Sequence, residues 1–185
     1  TAFEETQTPP QLIWDRVDVT LSISDDRIDV GSTADIQISA VYAYDGTRFN
    51  GTVTLNDEPT KKDVGNYTYT TESITDNKYG LTAFSSNTVY CIFDRVKITV
   101  FKVVDSRITV GETAQFVVEG VYEYDNTPWN GTYTLNDTTT KNTVGKYWFK
   151  IDSITDSNYG LTAFIQEPED VAVIWDRIEV YDYGT

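Results

Sequence analysis

The sequence predicts an all-β fold made of two tandem antiparallel β-sandwich domains. Three observations carry that expectation. The chain matches itself when shifted by 80 residues: positions 25–84 align with 105–164 without a gap, and 34 of those 60 positions are identical. Thr is abundant, at 28 of 185 residues, and Val, Ile, Tyr and Phe fill the runs between turn signals, a composition suited to strands. No segment shows an apolar period near 3.6 residues. About seven short strands in about 80 residues is the content of a two-sheet sandwich.

Taken in chain order, Val17, Val19, Leu21 and Ile23 alternate with Asp18, Thr20 and Ser22. Period-two alternation predicts a strand with one buried face. Ile36 and Ile38 alternate with Gln37 and Ser39 in a second run that continues to Val41. Turns are expected at DVGST (29–33), YDGT (44–47), FNGT (49–52), DVGN (63–66) and KYG (78–80), where Gly or Asn adopts positive φ at little cost. The second repeat follows the same order, most closely at TLND (54–57 and 134–137) and in the stretches from ITD to YGLTAF (74–84 and 154–164). Tyr42, Tyr44, Tyr67, Tyr79 and Phe84 recur as Tyr122, Tyr124, Tyr147, Tyr159 and Phe164. There is no Cys-Trp-Cys pattern, so these aromatics are expected to supply the core burial, with a partner for each buried hydroxyl.

A third marker recurs at the joints: IWDR at 13–16, IFDR at 92–95 and IWDR at 174–177. It sets the expected organisation: 1–13 as the tail of a preceding repeat or a linker strand, 14–95 as repeat 1 and 96–185 as repeat 2. Phe3 precedes Trp14 by the same spacing that separates Phe164 from Trp175. The chain therefore reads as a piece of a longer array. Its expected partners are neighbouring repeats of that array, with self-assembly by strand addition prompted by the strand-like stretch Thr1 to Arg16.

Composition narrows the function classes. The net charge is -15, which argues against a nucleic-acid partner because there is no basic surface to neutralise phosphates. No apolar run approaches the roughly 20 residues of a membrane-spanning helix. The chain has no His, which removes Ser-His-Asp triads, Cys-His dyads and His metal sites. No carboxylate pair is singled out by spacing, so the chain is not expected to be an enzyme. Cys91 aligns with Val173 at the next joint and is expected to be a small buried apolar residue.

The series IWDRV, RIDVG, VYAYDGT, NGTVTLND, VGNY and YGLTAF resembles the tandem Ig-like repeats of archaeal cell-surface and surface-layer-like proteins, over nearly the whole chain. That resemblance implies two Ig-like sandwiches with an extracellular, glycosylated, structural role in a stalk, filament or surface layer. The alternative is an adhesin-type or carbohydrate-binding module. Trp129, aligned with Phe49, and the unshared Trp148 are the aromatics on which a sugar ring would stack, unless they serve core or rim packing.

Three sets of candidate residues follow. The inter-repeat joint is Trp14, Asp15, Arg16, Phe93, Asp94, Arg95, Trp175, Asp176 and Arg177. Adjacent residues of a strand point to opposite faces, so the Asp and Arg can reach either side of the joint while the aromatic covers it. The simpler alternative is a last strand whose aromatic plugs its own core. Asn50, Asn66, Asn130 and Asn136 head N-x-T sequons and are candidate glycan acceptors, although Asn-Gly at 50–51 and 130–131 equally suits a hairpin turn. Calcium is the one cofactor considered. Asp25 and Asp105 are the candidate ligands, but no D-x-[DN]-x-[DN]-G loop is present and Asp is also a turn former.

Overall fold

A computed structural model of the chain describes residues 11–181. Among these the fold is all-β, with sixteen strands in several small sheets and no helix, consistent with the β-sandwich class. The first repeat supplies β1 (Val17–Ile23), β2 (Arg27–Asp29), β3 (Ile36–Tyr42), β4 (Gly51–Leu55), β5 (Gly65–Tyr69), β6 (Thr71–Asp76), β7 (Phe84–Ser86) and β8 (Val89–Asp94). The second repeat supplies β9 (Val96–Val103), β10 (Arg107–Thr109), β11 (Phe116–Tyr122), β12 (Gly131–Leu135), β13 (Gly145–Phe149), β14 (Ile151–Asp156), β15 (Phe164–Gln166) and β16 (Val171–Asp176).

Each repeat uses the same pairings. The orders are β3-β1-β7, β2-β8-β5 and β4-β6 in the first, and β11-β9-β15, β10-β16-β13 and β12-β14 in the second. The expectation of purely antiparallel sheets is corrected here. β1 pairs with β3 antiparallel but with β7 parallel, and β2 pairs with β8 parallel. The second repeat repeats this with β9 against β15 and β10 against β16. The cause is that two segments of each repeat change sheets in mid-course. β1 runs on as β2, and β7 runs on as β8, so the two segments travel side by side in the same direction. Hydropathy alternation reports which face is buried and carries no information on strand direction.

The chain divides into two compact units. One takes residues 11–24, Asp35–Glu58 and Thr68–Tyr90; the other takes Asp25–Ala34, Pro59–Tyr67 and residues 91–181. The core of the first unit is Val17, Val19, Leu21, Tyr42 and Phe49, with Val53, Leu55, Ile74 and Leu81 against it. The alternation foreseen for 17–23 thus buries Val17, Val19 and Leu21. Ile38 lies opposite Leu21 but stays half-exposed, because β3 is the edge of its sheet. The core of the second unit joins the two three-stranded sheets of the second sequence repeat. It includes Val96, Ile98 and Phe101 of β9, Phe149 of β13, and Val173 and Trp175 of β16.

The turn glycines divide into two kinds. Gly31, Gly46 and Gly80 have φ of 86°, 66° and 70°, as the sequence indicated. Asn126, the counterpart of Gly46, takes the same left-handed conformation at φ 58°. FNGT is different, since Gly51 opens β4 and is not among the positive-φ residues. There glycine serves a close approach: a Cβ on Gly51 would lie 2.0 Å from the Thr75 carbonyl oxygen, and one on Gly131 would lie 2.2 Å from that of Thr155. Gly65, in the expected DVGN turn, likewise opens a strand, β5.

Because backbone cannot yield as a flexible side chain does, Gly131→Ala should destabilise the chain by about 1–3 kcal/mol, the range of overpacking. Urea unfolding followed by tryptophan fluorescence measures this.

Candidate functional site at the repeat joint

Within the second unit, segment 25–34 of the first sequence repeat packs on the second sequence repeat. Its central residue is Arg27, the first of β2. The side chain is long enough to bury its stem, but a guanidinium leaves water only with compensating charge and hydrogen bonds. Arg27 is 5% exposed. Its Nη2 donates to Asp125 Oδ2 at 2.7 Å and lies 3.3 Å from Asp94 Oδ2. The second contact is an ion pair without hydrogen-bond alignment, and Asp94 Oδ2 and Arg27 Nε have no hydrogen-bond partner. Three rings complete the enclosure. The guanidinium carbon is 4.5 Å from the ring centre of Tyr159, 5.1 Å from that of Tyr122 and 5.7 Å from that of Tyr124. Cation–π attraction at such desolvated sites reaches about 2 kcal/mol.

The cage is held by its own backbone. Tyr122 Oη donates to Asp156 Oδ1 at 2.6 Å, and Asn158 Nδ2 donates to Tyr122 Oη at 3.0 Å. Asp156 Oδ2 accepts from the Tyr159 amide at 2.8 Å, which fixes the loop that carries the Tyr159 ring. Two residues beyond Arg27, Asp29 forms a second clamp. Its carboxylate accepts from the Thr162 amide at 2.9 Å, the Ala163 amide at 2.9 Å and the Thr162 hydroxyl at 2.7 Å.

The predicted joint residues distribute as follows. Asp94 Oδ1 accepts from the Arg95 amide at 2.8 Å and the Tyr124 amide at 3.0 Å, and Arg95 pairs through Nε with Glu123. Both therefore engage the second sequence repeat. Phe93 and Trp175 are fully buried. Each packs edge-on against a tyrosine, Tyr67 or Tyr147, and Trp175 Nε1 donates to the Glu112 carbonyl at 2.9 Å. Trp14 is 88% exposed, while Asp15 still accepts from the Tyr44 amide at 2.9 Å and Arg16 pairs with Asp18. Asp176 pairs with Arg107 and Arg177 with Glu179, both on the surface.

The sequence singled out the aromatic-Asp-Arg marker but not Arg27 and Asp29. It also assigned the tyrosines to the core, and that is corrected for the outer ones. Tyr44 and Tyr79 are exposed, and Tyr124 and Tyr159 remain partly so. They are rim residues that offer ring faces to a cation. The available signal was the shared R-I-x-V-G pattern at 27–31 and 107–111 together with recurring Tyr at fixed spacing.

Asn50, Asn66 and Asn130 are exposed. Asn136 Nδ2, the atom a glycan would occupy, donates to the Trp148 carbonyl at 3.4 Å, while Oδ1 accepts from the Lys150 amide at 2.8 Å. Asp25 and Asp105 are exposed, and no group of three or more Asp, Glu, Cys or His among the described residues is placed to hold a metal ion. Trp129 is half-buried, with Nε1 enclosed and unpartnered. Trp148 is exposed, but the Lys146 ammonium lies 4.5 Å from its ring centre. Cys91 is buried, and burial pushes its thiol up to about 11, away from nucleophilic use. Comparison of the chain with protein-family models and with curated proteins gives no match.

The joint carboxylates titrate in opposite directions. Burial raises Asp94 above its ordinary value despite the amides of Arg95 and Tyr124 and the charge of Arg27. Burial acts the same way on Asp125, but hydrogen bonds from Thr127 and Arg27 outweigh it and bring that carboxyl to about 2. A depressed carboxyl stabilises the fold above its unfolded value, and the contribution is lost as pH falls through the folded one. Thermal stability should therefore drop between about pH 4 and pH 2, with a smaller drop in Asp125→Asn. Calorimetry across that range gives the measurement.

Proposed function

We propose that the chain is a structural module of an extracellular tandem array, built of Ig-like repeats, and that its work is to hold successive repeats at fixed spacing. One observation carries this reading: Arg27 of the first sequence repeat is buried in a charged and aromatic cage of the second, and Asp29 clamps the loop beside it. Burying a guanidinium favours one geometry over many, because the planar fork is satisfied only where its acids and rings converge. Such a joint suits a stalk, filament or surface layer. The exposed Asn50, Asn66 and Asn130 suit a glycosylated cell surface, and the net charge of -15 keeps neighbouring arrays apart. No chemistry is required of the module in this reading.

Arg27→Ala removes one partner of a buried ion pair and should cost about 3–5 kcal/mol. In solution scattering the wild type should give one maximum dimension, and the variant a broadened distribution. Unchanged stability and unchanged scattering would remove the joint from the mechanism.

A further inference from the structure

Three alternate positions along β13 and the residue after it change together between the repeats. Asn66, Thr68 and Thr70 of the first repeat become Lys146, Trp148 and Lys150 in the second. The residues between them stay aromatic, Tyr67 and Tyr69 against Tyr147 and Phe149. The aromatic set points inward, where Tyr147 and Phe149 pack on Trp175. The changed set is exposed at all three positions. Trp148 is 56% exposed and lies opposite Ala172 on β16, a small neighbour that leaves room beside the indole. The Lys146 ammonium lies 4.5 Å from the indole ring centre. Among the described residues neither Lys146 nor Lys150 is in an ion pair, whereas Lys97 and Lys141 each pair with an acid. Two unpaired lysines flanking an exposed tryptophan stand out in a chain with 29 acids and 14 cations.

The first repeat shows that a following repeat leaves this face open. Asn66, the counterpart of Lys146, lies in the same compact unit as the second sequence repeat and is still exposed. The first repeat also has an exposed aromatic at the position of Ala172, Tyr90, but Asn66 and Thr68 of its β5 are neutral. Charge beside the ring is therefore what the second repeat adds. β13 is an edge strand of its sheet, yet the groups that an added strand would use beside Trp148 are taken. Asn136 Nδ2 donates to the Trp148 carbonyl at 3.4 Å, and Asn136 Oδ1 accepts from the Lys150 amide at 2.8 Å. A ligand here binds through ring faces and charges, not through main-chain pairing.

We propose that the Lys146–Trp148–Lys150 face binds an anionic saccharide, one that carries carboxylate or sulfate groups. Trp148 supplies a flat apolar surface for the C–H face of a pyranose ring, and the two lysines supply the charge. At about 3.4 Å per residue, Lys146 and Lys150 attach to the chain about 14 Å apart at most. They therefore reach acid groups on the sugars to either side of the one on the indole. On binding, the Lys146 ammonium exchanges the indole ring for an acid group and clears the ring for stacking. The net charge of -15 opposes any anion at a distance, and screening over about 8 Å at physiological ionic strength limits that opposition. An acidic peptide offers the same charge, but it lacks the pyranose face, and the main-chain pairing it would gain at this edge is blocked by Asn136. The site stands apart from the Arg27 joint and does not depend on it.

Titration calorimetry of the full chain tests the site, with hexagalacturonate as the carboxylate probe and a heparin hexasaccharide as the sulfate probe. At least one should bind with a submillimolar Kd, and which one does identifies the acid group. The neutral methyl ester of hexagalacturonate should give no heat, and hexaglutamate should bind at least about tenfold more weakly. Trp148→Thr installs the first-repeat residue at an exposed position, so it should leave the melting temperature unchanged and weaken binding about tenfold. Lys146→Asn combined with Lys150→Thr should weaken it as much and flatten its salt dependence. No binding of either acidic probe at millimolar concentration overturns the proposal. So does equal binding of the neutral ester or of hexaglutamate, or an affinity that survives Trp148→Thr.

Discussion

A guanidinium removed from water is the constraint around which the joint is built. Once Arg27 is buried, at least one acid must face it, and Asp94 and Asp125 both do. Asp94 ends β8 and Asp125 sits in the loop after β11, so these elements cannot shift independently without stranding a charge. The aromatic wall follows from the same demand. Tyr rings exclude water yet offer a negative face to the cation, which Leu or Val at those positions would not. The hydroxyl of Tyr122 then needs its own partner, which Asp156 supplies, and burial beside that carboxylate pushes the phenol up to about 12. Each polar group brought inside recruits the next, and the chain of recruitment ends at the backbone amides of the 157–161 loop.

The same motif residues are found in three settings. Around Arg27 the acids and rings converge and Asp29 clamps the following loop. At Arg107 the arginine is present but faces solvent, with Thr in place of the clamping Asp. Around Tyr42 the rings and acids are present, and a lysine from the same loop faces them. Positions 29/109 and 78/158 are among those that differ between the matched segments.

How much of this was legible in the sequence depends on what each signal measures. The repeat and the strand content of 17–23 came through because burial imposes a period of two on side chains. The positive-φ glycines at 31, 46 and 80 came through because few residues tolerate that conformation. Gly51 was misread as a turn because an Asn-Gly pair looks alike whether glycine is needed for its φ or for the absence of a Cβ. The parallel pairing was hidden because alternation is blind to direction. Arg27 was hidden most deeply. A charged residue next to a turn normally faces solvent, and only the convergence of Asp94, Asp125 and Tyr159 from distant parts of the chain reverses that. The aromatic-Asp-Arg marker was visible as a repeat, and both of its readings hold in part: Phe93 and Trp175 plug a core, while Asp94 and Arg95 engage the second sequence repeat.

The mixed sheets have a mechanical consequence. Within each repeat the entering segment and the leaving segment lie side by side and run in the same direction, β9 against β15 and β10 against β16 in the second repeat. A pull on the two ends drags these neighbours past each other along their length. The hydrogen bonds between them then bear the load together as a sheared seam, whereas an antiparallel hairpin pulled at its open end parts one bond at a time. Only Arg95 separates β8 from β9, so tension leaves one seam and enters the next with almost no slack.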